Sequence, residues 1–273
     1  MTTHRATLII EQLERRATPS VKAWMTNYMK GSTPFIGCKI PVVRESVRCV
    51  VGQASKKRGR GDDDDDGLKT TSIATTTYVE DAISLLRHDC GDAKQAGIIL
   101  LCEHEPLSTL SDEKMLSQLE TQVLRTKERY VNDWAVADCL AIKVLKRIWK
   151  NNPRLAPKIL SWASDESATL WHRRLGIVAF VKELGSLPKG IDAFQLVNAC
   201  EDNLLAAPDE RFAQTGTAWV TRYALACGDD AVREHALNMV VRHGKLWTTE
   251  AKKSLVEQIT RDTATKERIL NLG

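Results

Sequence analysis

The 273-residue chain has no uninterrupted apolar run of about 18 residues, so no segment reads as a membrane-spanning helix. Its first 16 residues carry Glu11 and Glu14 and lack an apolar stretch, which argues against a secretory signal. An intracellular protein, nuclear or cytoplasmic, is therefore expected. The seven cysteines (38, 49, 90, 102, 139, 200 and 227) are odd in number, show no C-x-x-C spacing and mostly sit among apolar neighbours. A disulfide framework and a cysteine-based zinc site are both excluded as first readings. Also missing are the phosphate-binding G-x-x-x-x-G-K-[ST] loop, a G-x-G-x-x-G turn after a strand, H-E-x-x-H and G-x-S-x-G. No metal and no cofactor are expected. Strand signals are scarce, since alternating β-branched runs and Asn-Gly or Asp-Gly turns hardly occur.

Phenylalanine and tyrosine are few, four of each, yet there are seven tryptophans. Tryptophan suits places that need both an apolar body and a polar contact. The net charge is +4, and it stays there when residues 52–77, with five basic and five acidic residues, are set aside. Such a mild positive field is compatible with a nucleic-acid partner. The 52–77 segment combines a basic, glycine-rich run, the acidic run Asp62 to Asp66 and a threonine-rich end. That composition cannot bury much apolar surface and reads as a flexible insertion dispensable for catalysis. Its Lys56-Lys57-Arg58-Gly59-Arg60 run is a weak nuclear-localisation signal or an ordinary solvated loop.

Helical periodicity dominates the remainder. Val136, Leu140, Val144 and Ile148 recur at fours, joined by Leu145, and Leu175, Val178 and Val181 recur at threes. Pro153 opens a following helix, and Ile191 to Leu205 and Phe212 to Leu225 give two more. The breaks between them are only a few residues long, as between antiparallel helices. Trp134 and Trp171 lie 37 residues apart, and the segment from Trp171 aligns with that from Arg211 at a spacing of 40. The pattern predicts an all-α fold, a HEAT-like α-solenoid of about six or seven two-helix repeats forming a single domain over 1–273.

Three clusters stand off the apolar stripes. Asn132 or Asp133 can cap a helix that begins at Trp134, which puts Trp134 and Asp138 on one face at i,i+4. Trp171-His172-Arg173-Arg174 and Trp219-Val-Thr-Arg222 offer aromatics beside guanidiniums. In a solenoid, equivalent helices line one surface, where arginine forks suit phosphates and aromatic faces suit sugars and bases. The plain alternative is tryptophans filling repeat junctions, with Asp138 paired to a neighbouring arginine. Exposure of Trp134, Asp138 and Trp219 separates the two. An exposed Asp138 predicts that Asp138→Asn leaves the fold intact.

These residues resemble the AlkD-like DNA alkylation repair glycosylases, built from HEAT-like repeats, over most of the chain. Tyr28-Met-Lys-Gly-Ser-Thr-Pro-Phe-Ile-Gly37-Cys-Lys39-Ile-Pro41-Val-Val-Arg44 looks like the family's N-terminal segment. Asp133-Trp134 to Asp138 looks like its W-x-x-x-D element. Ser161-Trp162-Ala163-Ser164, then Trp171 to Arg174, looks like W-x-x-S…W-x-x-R, and Trp219 to Tyr223 like W-x-[LT]-R-x-[YF]. The chain departs from the pattern at the 52–77 insertion and at Lys39-Ile40 before Pro41. The resemblance implies a concave basic groove holding double-stranded DNA, and excision of cationic alkylpurines of the 3-methyladenine and 7-methylguanine type. It implies catalytic-cleft roles for Asp138, Trp134 and Trp219. Arg174, Arg222 and Arg173, with Tyr28, Lys39 and Arg44, would contact DNA. A monomer is expected. A non-catalytic HEAT-like scaffold that binds nucleic acid or protein is the alternative.

Overall fold

The computed structural model describes residues 2–30, 32–58, 78–104, 111–260 and 262–272, and these are helical with no strand among them. Their packing falls into two compact units, Met1–Asn132 and Asp133–Gly273. No helix among the described residues is long and apolar enough to cross a membrane.

The first unit runs through α1 (His4–Arg16), α2 (Pro19–Tyr28), α3 (Ile40–Arg58), α4 (Tyr78–Leu86), α5 (Gly91–Ile99) and α6 (Asp112–Leu119). Both α5 and α6 widen into π-turns, at Leu100–His104 and Glu120–Leu124. The core takes Ile9 and Leu13 from α1, Val43 and Val47 from α3, and Ala82, Leu85 and Leu86 from α4. Helices α4 and α5 approach closely at Gly97, where a Cβ would stand 2.8 Å from the Ala82 carbonyl oxygen. The link between α2 and α3 is pinned by buried Asp92, whose carboxylate accepts from the backbone N–H groups of Ile36 (2.6 Å), Gly37 (3.2 Å) and Cys38 (3.1 Å). Gly37 has φ +115°, and a Cβ there would meet the Thr18 carbonyl at 2.7 Å, so glycine is required twice over. Helix α3 extends to Arg58, so the first residues of the expected 52–77 insertion are helical. Residues 59–77 lie outside the described residues.

The second unit contains α7 (Trp134–Leu140), α8 (Lys146–Asn151), α9 (Ala156–Ser161), α10 (Leu170–Val178), α11 (Ala193–Leu205), α12 (Arg211–Leu225), α13 (Asp230–Arg242), α14 (Thr249–Val256) and α15 (Thr263–Leu270). Asp133 rather than Asn132 caps α7, accepting from the Val136 N–H at 2.9 Å. The π-turn Ala141–Leu145 joins α7 to α8 without a break. The stripe Val136, Leu140, Val144, Leu145 and Ile148 is buried throughout. Helix α12 is central and packs against α10, α11, α13 and α14. Its neighbour α11 begins with a reciprocal cap between Asp192 and Gln195.

Glu183, just beyond α10, accepts from Lys146, Lys150 and Ser186. Burial by itself would raise its pKa; the hydrogen bonds from the two lysines and the serine outweigh it and hold the carboxyl at about 2. A depressed native pKa contributes stability that is present above the unfolded-state value of 4.5 and lost as pH falls toward 2. Urea unfolding between pH 5 and pH 2.5 is expected to lose about 1–3 kcal/mol that Glu183→Gln does not lose.

Candidate functional site

Helices α7, α10 and α12 converge on one guanidinium. Arg174, only 4 % exposed, donates from Nε to Asp138 Oδ1 at 2.7 Å and from Nη2 to Asp138 Oδ2 at 2.8 Å. Its Nη1 donates to the Phe212 carbonyl oxygen at 2.6 Å. This is a fork-on-fork pair, the geometry that fixes both distance and plane. Each carboxylate oxygen keeps lone-pair capacity beyond the one arginine takes. Gly216 makes the arrangement possible: a Cβ there would stand 2.5 Å from Arg174 Nη1.

The aromatics follow from helical spacing around this pair. Trp134 lies one turn before Asp138 on α7, and Trp171 lies three residues before Arg174 on α10. The Trp171 ring meets Phe212 on α12, centroids 5.1 Å apart. Phe212, Gly216 and Trp219 share one face of α12 at steps of four and three. Trp134, Trp171, Trp219 and Asp138 are all half-buried. Trp149, Trp162 and Trp247 are core residues. The tryptophans thus divide: Trp134, Trp171 and Trp219 keep some solvent-facing surface, whereas Trp162, although also in an expected motif position, is buried in the core.

Two of the expected DNA contacts lie inside the protein. Arg174 spends its fork on Asp138 and the Phe212 carbonyl. Arg173 is also buried and donates to the Ala168 carbonyl at 2.6 Å; desolvation lowers its pKa. The premise on which Asp138→Asn was expected to be harmless to the fold, an exposed and unpaired carboxylate, does not hold, because Asp138 is half-buried and paired with Arg174. Arg222 is different. It pairs with Glu257, an exposed residue, and donates to the Tyr223 hydroxyl at 3.1 Å while lying over that ring. A phosphate could exchange for so exposed a carboxylate.

In the first unit, Tyr28 is exposed and stacks on Trp24, Lys39 is exposed, and Arg44 pairs with Glu103 at 2.5 Å. Sequence reasoning missed Gly216, the Phe212 carbonyl and Glu257. A backbone carbonyl leaves no mark in sequence. Glycine at 216, three residues before Trp219, was the one legible sign of a close approach.

A family profile described as DNA alkylation repair enzyme matches residues 9–255. The chain belongs to that family. No curated protein matches it. The family's members are DNA repair enzymes by description, so DNA is the expected substrate. Among the described residues of this member, no group of three or more His, Cys, Asp or Glu could hold a metal ion.

The Asp138–Arg174 pair makes a stability prediction. Removing one partner strands a buried charge, at a cost of about 3–5 kcal/mol. In urea denaturation, Asp138→Leu and Arg174→Met should each fall in that range. The double variant Asp138→Leu/Arg174→Met should be clearly more stable than either, because two apolar groups of similar shape leave nothing stranded.

Proposed function

We propose that this protein is a monofunctional glycosylase that hydrolyses the N-glycosidic bond of cationic N3- or N7-alkylated purines in duplex DNA. The observation that carries the reading is the Asp138 carboxylate, held in one plane by Arg174 and flanked along its helix by half-buried Trp134. An alkylated purine already bears positive charge, so it leaves readily and needs little help from a general acid. As the bond from C1′ to the purine nitrogen breaks, its electron pair neutralises the base and positive charge develops on the deoxyribose. The fixed carboxylate faces that charge, and its remaining lone pairs can align the water whose oxygen bonds to C1′ and whose proton is lost to solvent. Trp134 and Trp219 supply electron-rich faces that favour a cationic sugar and exclude bulk water. Arg174 pre-pays the orientation of the carboxylate, so no reorganisation falls on the reaction itself.

A HEAT-like repeat arrangement suits this chemistry, since successive helices then offer their site residues along one surface. Such a surface would read the DNA backbone through Arg222 and need not extrude the base. The alternative, a non-catalytic scaffold, has one observation in its favour: an aspartate tied to a neighbouring arginine is also what a purely structural role requires. Base release separates them.

Single-turnover release of 7-methylguanine from methylated duplex is the test, run at a temperature where melting curves show each variant folded. Asp138→Asn should slow release about 5- to 1,000-fold, equivalent to about 1–4 kcal/mol of lost charge stabilisation. No release by the wild-type protein would leave the scaffold reading standing. Glu257→Gln should strengthen binding to plain and alkylated duplex alike by about two- to fivefold, because Arg222 loses its internal competitor. Fluorescence anisotropy over a salt series measures this, and the variant's affinity should fall more steeply with salt than the wild type's.

A further inference from the structure

The first unit carries a surface feature that the proposed chemistry does not use. Trp24 is 60 % exposed and Tyr28 55 % exposed, and both project from α2. Their rings are stacked, with centroids 5.2 Å apart and planes 7° from parallel. Helix α2 buries none of its residues fully, and a contiguous exposed aromatic patch of this kind marks an interaction site. Beside it lies a cavity of about 650 Å³ lined by Val21, Trp24 and Met25 of α2 and by Cys38, Lys39 and Ile40. That volume is in the range of small-molecule sites.

The cavity wall is built rather than incidental. The loop that supplies Cys38 and Lys39 is held at three successive N–H groups by Asp92, and Gly37 fits against Thr18 at the start of α2. The Cys38 thiol is buried; burial, with some repulsion from Asp92, pushes its pKa up to about 11. It therefore behaves as apolar wall and not as a nucleophile.

The chain segment that forms this wall carries charge of one sign, although Asp92 is buried behind it and Arg44 is paired with Glu103. Between Glu14 and Glu45 the sequence contains Arg15, Arg16, Lys22, Lys30, Lys39 and Arg44 and no acidic residue. Lys22 and Lys39 are exposed. A flat aromatic platform, an apolar slot and basic side chains at its rim are the elements with which proteins hold single nucleotides of a strand. An apolar peptide or a second copy of the chain would use the slot but has no need of the acid-free basic rim.

We propose that the Trp24 cavity takes one unstacked nucleobase of a bound DNA strand, with Lys39 meeting a flanking phosphate. This rests on the reading that the protein binds DNA, and it adds to that reading a preference for helices in which a base is unpaired. The test compares an unalkylated duplex carrying one unpaired 2-aminopurine with the same duplex fully paired. The full-length wild-type protein should bind the bulged duplex about 5- to 100-fold more tightly and should quench the 2-aminopurine on binding. Trp24→Ala should abolish both the preference and the quench while leaving affinity for paired duplex unchanged. Trp24→Phe should keep most of the preference. Trp24 is exposed, so its removal should not unfold the protein, and a melting curve checks this. Lys39→Gln should weaken binding of the bulged duplex. If the wild-type protein binds both duplexes equally, or if Trp24→Ala retains the preference, the cavity is not a base site, although DNA binding itself stands. If it binds neither duplex, both readings fall together.

Discussion

A guanidinium cannot be buried without partners, and that constraint organises the second unit. Taking Arg174 out of water carries a cost of several kcal/mol unless its donors are met. Three of them are met, by two oxygens of Asp138 on α7 and by a backbone carbonyl at the start of α12. The three helices are therefore fixed relative to one another at this point by directional bonds, not by apolar contact alone. Gly216 is the counterpart in backbone form, because the space its missing side chain leaves is the space the guanidinium fills. Trp134, Trp171 and Trp219 are placed on those helices by their spacing from this fixed point.

The same pair changes what a mutation at Asp138 means. On an exposed helix face, loss of its charge would report on the developing cation alone. Under the proposed mechanism the charge has two duties, balancing Arg174 in the ground state and facing the sugar in the transition state. A fall in rate is informative only beside a measured folding stability, since both duties are lost together. The pairing also weakens the field that Asp138 can present, because the guanidinium cancels part of it nearby. Geometry compensates, since a carboxylate locked in plane loses nothing to reorientation when positive charge develops.

Much of this was legible in the sequence, for reasons that can be named. The stripe Val136, Leu140, Val144 and Ile148 is buried because a 3.6-residue period puts those positions on one side, and burial follows from that alone. The start of α7 at Trp134 was legible, and its cap to within one residue, because an aspartate before the first apolar-periodic position can accept the orphan N–H groups there. Trp134 and Asp138 stood out because they fell off the stripe, and Trp219 because it lies three residues before Arg222 on one helix face. The roles of Arg173 and Arg174 were not legible. Two adjacent arginines after a tryptophan look like surface charge, and only tertiary packing reveals that each has an internal carbonyl or carboxylate waiting for it. The paired state of Arg222 was hidden likewise, since Glu257 lies 35 residues away.

The tryptophan count itself separates by environment. Trp149 and Trp247 are buried with their indole N–H groups bonded to the carbonyls of Ala179 and Val240, so their polar handle is used to close the core. Trp24 does the reverse, leaving its ring in water, held by Tyr28 alone among aromatic partners in the described residues. A core tryptophan is retained by packing, and its loss would be read as instability. An exposed one stacked on a tyrosine contributes little to the fold, and an apolar ring in water works against solubility. Under the proposed base site its position is explained by the nucleobase that covers it, and the acid-free basic segment around it matches the negative charge of the strand that base belongs to.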